Sequence, residues 1–113
     1  MSVLQEEFAQ SVAKLIQKAA ELGYTVTLGE AWRTPEQAQW NADHGKGIAH
    51  SLHIERLAID LNVFISGVYQ TGAEGYTQLG AWWKTLGPMY RFGGDFQTRD
   101  YNHFSISPDG KLA

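Results

Sequence analysis

His53, Asp60 and His103 are the donor types a catalytic zinc ion uses: three protein ligands, with a fourth position left open for water. Such a water has its pKa brought down toward about 7, which makes it a nucleophile near neutral pH. Asp100, three residues before His103, adds a carboxylate that can take a proton from that water and later deliver it to a departing amine. The spacing makes a structural demand. An extended chain rises about 3.3 Å per residue, so His53 and Asp60 on one straight strand would stand roughly 23 Å apart. They can share an ion only if the chain turns back between them, around Ile54 to Arg56, and returns as a strand from Leu57.

That returning strand has a clear pattern. Leu57, Ile59, Leu61, Val63 and Ile65 alternate with Ala58, Asp60, Asn62 and Phe64, a period of two. The aliphatic face belongs on the core. The other face carries Asp60, with the small Ala58 two residues earlier leaving room beside it. A carboxylate inside an apolar run is expensive to bury unpaired, and a cation is the simplest partner.

The remaining elements follow from local signals. Residues 3 to 22 predict an amphipathic helix through Leu4, Phe8, Val12, Leu15, Ala19 and Leu22, with a capping box from Ser2 and Gln5 and a stop at Gly23. Tyr24 to Leu28 predicts a strand running on to Trp32, with Arg33 at its end. Thr34, Pro35 and Gln37 predict a second capping box opening a short helix. Asn41 to His50 is Gly- and polar-rich and predicts a loop. It holds His44 and His50, surface or supporting residues on this reading, with His50 the first rival ligand. Ser66-Gly67 predicts a hairpin into a short strand, and Glu74 to Leu86 a helix burying Tyr76, Leu79, Trp83 and Leu86. Gly80 inside that helix signals close packing, and of the adjacent Trp82 and Trp83 one belongs to the core. Arg91 to Asp100 predicts a loop, His103 to Ser107 a final strand, and Pro108 to Gly110 a turn. The fold class is α+β, a small antiparallel sheet with helices packed on it.

Composition narrows the functions. With 113 residues and 43% hydrophobic content, a core is feasible within one domain spanning 1–113. The net charge is −3 with no basic stripe, so no nucleic-acid partner is expected. There are no cysteines, which restricts any metal site to His and carboxylate ligands. No apolar run approaches membrane-spanning length and no signal peptide is visible, so no membrane partner and a cytoplasmic location at synthesis are expected.

Ser51-x-His53-x-x-x-x-Ala58-x-Asp60, with Asp100 three residues before His103, resembles the zinc peptidases that cleave bacterial cell-wall peptides. That family includes the D-alanyl-D-alanine dipeptidases and carboxypeptidases of vancomycin resistance and the L-alanyl-D-glutamate endopeptidases of phage endolysins. The likeness runs from about Gly29 to Ser105. Glu30-Ala-Trp-Arg33-Thr-Pro-Glu-Gln37 is similar to the family's strand-then-helix element, in which an arginine faces the substrate, and Phe92-Gly-Gly-Asp-Phe96 looks most like the endolysin branch. The chain departs from the family at Arg56, where many members have Gly.

The resemblance implies the zinc D,D-peptidase (Hedgehog-like) fold and one Zn2+ on His53, Asp60 and His103. It implies Asp100 as general acid-base and Arg33 as the group that binds substrate and stabilises the developing oxyanion. Ser51 and Gln37 become substrate-binding candidates, with Ser51 left open between binding substrate and holding a ligand. The expected activity is an L-alanyl-D-glutamate endopeptidase on the peptidoglycan peptide, acting as a monomer on the wall after release at phage lysis. The alternatives are a D-alanyl-D-alanine carboxypeptidase or dipeptidase, and a non-catalytic wall-binding or phage structural protein stabilised by zinc. A glycosidase built from Glu30 and Glu55 is the rival chemistry, with nothing in the sequence to bring those two together. Other divalent ions also accept these ligands.

Overall fold

The computed structural model describes residues 3–45 and 52–108; Ser2, His50 and Ser51 lie outside the described residues. In chain order the elements are α1 (Val3–Glu21), β1 (Thr25–Leu28), α2 (Pro35–Asp43), β2 (Ala58–Ile65), β3 (Val68–Tyr69), α3 (Ala73–Lys84), β4 (Tyr90–Phe92), a 3-10 turn (Gly93–Asp95) and β5 (His103–Ile106). The architecture is α+β, with every strand pairing antiparallel in the order β1-β2-β5-β4 and β3 added to the end of β2.

β2 is central because its sequence can be buried on one face and chemically active on the other. Ile59, Leu61 and Val63 are buried in the core with Phe104 and Ile106 of β5. Helices α1 and α3 cover this side through Phe8, Leu15, Ala19, Tyr76, Leu79 and Trp83. Trp83 anchors the layer. Its ring meets Phe8, Tyr90 and Phe104 edge-on at centroid distances of 6.0, 4.9 and 5.9 Å, and its Nε1 donates to the Ser105 carbonyl at 3.1 Å. The edge-on arrangement is the one aromatic quadrupoles favour, and the indole N–H is satisfied, as a buried donor must be. Trp82 is only partly buried, so the adjacent pair divides as its helical spacing requires. Gly80 lets α3 press against the Phe92 ring, since a methyl group at this position would overlap that ring.

Ser66 and Gly67 both have positive φ, 51° and 79°, the geometry of the two-residue turn that matches the twist of a hairpin. Gly23 takes φ 80° after α1.

Three elements differ from expectation. β1 ends at Leu28 rather than Trp32, because the chain peels away after Glu30 and Arg33 N–H bonds the His53 carbonyl at 3.3 Å. Helix α2 continues through Asp43, into what composition suggested was loop: Gln37 and Gln39 donate to Asn41 Oδ1 and Asp43 Oδ1 at 2.7 and 2.8 Å, so polar i,i+4 pairs support the last turn. The capping box is therefore half made. Thr34 Oγ1 accepts from Gln37 N–H at 3.0 Å, but the Gln37 side chain reaches forward, not back. Lastly, the Arg91–Asp100 stretch contains part of strand β4 and the 3-10 turn; β4 exists because β5 lies beside it, with Phe92 opposite Phe104.

Candidate active site

Antiparallel register brings two of the expected ligands together. Asp60 of β2 lies directly opposite His103 of β5, and directly opposed side chains on one face stand about 5 Å apart at Cβ. His53 reaches the same point from a compact turn over residues 52–56. Leu52 is fully buried and anchors that turn, Leu57 N–H bonds the Leu52 carbonyl at 3.0 Å, and both Arg33 and Arg56 N–H bond the His53 carbonyl. Arg56 closes the turn at φ 59°, a left-handed conformation that glycine adopts without strain. The guanidinium of Arg56 lies 4.7 Å from the centroid of the Trp32 ring, a cation–π contact that holds the residue in place.

Two glycines permit the close approach of backbone to this point. Gly29 N–H donates to the Asp60 carbonyl at 2.7 Å, and an added Cβ would stand 2.8 Å from that oxygen. Gly93 accepts from Asp100 N–H at 2.9 Å; a Cβ there would overlap the Asp100 carbonyl and stand 2.7 Å from Cβ of His103. The Gly-Gly pair thus lets the turn after β4 support the loop that carries Asp100 and His103.

The donor atoms converge. His53 Nε2 and His103 Nδ1 lie 3.4 and 3.7 Å from Asp60 Oδ1, and one donor atom from each of the three residues lies within 4.8 Å of the others. Two ligands each 2.0–2.1 Å from a tetrahedral ion stand about 3.4 Å apart, so the carboxylate-to-imidazole separations suit one ion between them. Asp60 Oδ1 is buried and, among the described residues, meets only the two imidazoles, at distances longer than a normal hydrogen bond, a cost that a cation would remove. Two imidazoles and a carboxylate are also a zinc-type donor set. The residues present fit a metal ion.

Electrostatics separate the two aspartates. Burial raises the Asp60 pKa, but the two imidazoles outweigh it and hold the group down at about 2, from an ordinary 3.8. Asp100 moves the other way: partial burial raises its pKa and the Asp60 charge adds to the rise, against the pull of His103, His53 and Arg33. The Asp100 side chain is 54% exposed, with Oδ2 4.0 Å from His103 Nδ1, so it stands on the solvent side of the cluster. Their environments thus push the pKa values of the two carboxyl groups apart, a pattern common at functional sites.

The sequence matches no family profile and no curated protein. The fold has a relative among solved structures. The crystal structure of Serratia marcescens L-Ala D-Glu endopeptidase ChiX superposes with a TM-score of 0.68 at 19% identity, covering 95% of this chain and 89% of that one. The two chains share a fold.

Arg33 lies next to the cluster, mostly buried, with its Nε donating to Glu30 Oε1 at 2.7 Å and its Nη2 bonding the same oxygen. That oxygen also faces His53 Nδ1 at 3.6 Å. Glu30, which the sequence offers as part of the strand-then-helix element and as a rival carboxylate beside Glu55, sits between Arg33 and His53. The readable signal was its place three residues before an arginine at the end of a strand. Gln37 is exposed on α2, bonded to Asn41, and no hydrogen bond ties it to the cluster. Ser51 and His50 lie outside the described residues. His44 caps α2, stacked on Trp40 at a centroid distance of 3.8 Å and bonded to its carbonyl.

Proposed function

We propose that the protein is a zinc-dependent peptidase that hydrolyses bacterial peptidoglycan stem peptides, with the L-alanyl-D-glutamate bond as its target. The reading is carried by the convergence of His53 Nε2, Asp60 Oδ1 and His103 Nδ1, with Asp100 on the open side. It is supported by the fold shared with an L-Ala D-Glu endopeptidase. When bound, zinc supplies an activated water and polarises the scissile carbonyl.

This chain's residues do the rest. His53, Asp60 and His103 would hold the ion. Asp100 accepts the proton that the attacking water loses, then returns it to the leaving amine, so the proton balance closes on one carboxyl group. Arg33, fixed by Glu30, keeps guanidinium N–H groups available for the carbonyl oxygen as it gains charge. On this reading the protein acts on the wall after release at lysis.

The test is digestion of purified cell wall by the zinc-loaded protein, followed by mass spectrometry. Cleavage at the proposed bond leaves fragments with new L-alanyl C-termini and D-glutamyl N-termini; D-alanyl-D-alanine carboxypeptidase action instead releases free D-alanine. Binding to the wall without any new terminus would sink the enzyme reading in favour of a zinc-stabilised wall-binding protein.

A further inference from the structure

Beside Asp100 the structure has a second, polar cavity of about 200 Å³, lined by Tyr69, Gln70, Thr71, Arg99, Asp100 and Asn102 among others. Two of the lining residues meet Asn62, whose Oδ1 accepts from Asn102 Nδ2 at 3.2 Å and faces the Tyr69 hydroxyl at 3.5 Å. Asn62 follows Asp60 by two on β2, so these two lining side chains meet the strand face that carries Asp60.

Among the described residues, Arg99 is the one cation on this wall. Its side chain is exposed, Nη1 lies 3.4 Å from the Tyr101 hydroxyl, and among the described residues no carboxylate forms an ion pair with it. It is positioned by the fold and left without a counter-charge.

We propose that Arg99 binds the free carboxylate of the residue on the amine side of the scissile bond, and so selects an acidic residue there; this rests on the peptidase reading above. The chemistry follows from the role of Asp100. The group that returns a proton to the leaving nitrogen lies against that nitrogen, and the nitrogen's own residue must lie against the same wall. If that residue is glutamate, it has two carboxyl groups and the chain can continue through only one. The other stays free, and it is ionised at neutral pH. Where the chain continues through the side-chain carboxyl, the free group is two bonds from the leaving nitrogen. One cavity then has to serve both the proton donor and a counter-charge, and this cavity holds Asp100 and Arg99. A guanidinium meets a carboxylate through paired N–H donors, which gives orientation as well as attraction.

The test uses two synthetic peptides with an L-Ala-D-Glu bond, continued through the side-chain carboxyl, that differ only in carrying a free α-carboxylate or an α-carboxamide. Zinc-loaded wild type should prefer the carboxylate by about tenfold in kcat/KM. Arg99→Ala should lose that preference through a raised KM on the carboxylate peptide, with kcat and the amide peptide changed by less than about twofold. Arg99→Lys should recover part of it. If the wild type cleaves both peptides equally, or Arg99→Ala keeps the preference, the role of Arg99 is overturned while the peptidase reading stands. If the wild type cleaves neither these peptides nor the wall, the peptidase reading fails and takes this inference with it.

Discussion

At the scale of single residues, two aspartates of the candidate site lie in opposite environments, and the proposed function gives them different work. Asp100→Asn keeps the size and removes the proton-carrying charge. The variant should bind zinc with wild-type stoichiometry, measured by elemental analysis, and lose about 10²- to 10⁴-fold in turnover. Because the folded pKa of Asp100 is raised, by burial first and then by Asp60, its ionised form opposes folding above the ordinary carboxylate range. Metal-free Asp100→Asn should therefore melt no lower than wild type at pH 7, activity and stability pulling in opposite directions. Asp60 has the reverse sign. Its pKa is depressed, so its contribution is present above 3.8 and is lost as pH falls toward about 2. Urea midpoints of the metal-free protein should fall across that window, and Asp60→Asn should lack this part of the slope. Glu30 faces both Arg33 and His53, and Glu30→Gln should weaken zinc binding about 10- to 100-fold in a chelator competition while leaving the circular dichroism unchanged.

At the scale of elements, the turn from Leu52 to Arg56 decides whether His53 can face Asp60. Arg56 holds a left-handed conformation, which costs an L-residue roughly 1–2 kcal/mol and glycine almost nothing. Arg56→Gly would relieve that, but would forgo a cation–π contact with Trp32 of about 0.5–1 kcal/mol and loosen the unfolded chain by about 0.4–1 kcal/mol. The terms nearly cancel. The melting temperature of Arg56→Gly should stay within about 4 °C of wild type, a shift of about 1 kcal/mol for a chain this size. The left-handed conformation of Arg56 is thus accommodated by a local contact. The same balance explains why a positive-φ position was hard to read: arginine signals charge, and its backbone conformation becomes evident only beside Trp32.

At the scale of the whole molecule, the candidate ligands come from separate parts of the chain: one from a turn, one from the central strand, one from the last strand. An ion joining them binds the folded state and has little purchase on the unfolded chain. At a free zinc concentration 100 times the dissociation constant the gain is about 2.7 kcal/mol, on the order of 10 °C in melting temperature for this length. Adding a chelator during differential scanning calorimetry should lower the transition by that order, and His103→Ala should abolish the difference. The helix layer on the far side of β2, centred on Trp83, should keep the metal-free protein folded at room temperature. No described helix is long and apolar enough to cross a membrane.

Much of this was legible locally. The donor types, the period-two strand with Asp60 opposite its aliphatic face, the amphipathic stripe of α1, and the Thr34 cap are all short-range patterns, because side-chain direction along a strand or helix follows from backbone geometry alone. What could not be read was which strand lies beside which, and in what register. The pairing of Asp60 with His103, the existence of β4, the early end of β1 and the meeting of Glu30 with His53 each depend on segments a dozen or more residues apart. Those contacts are chosen by how the buried faces pack together, a property of the assembled core that no single stretch of the chain contains.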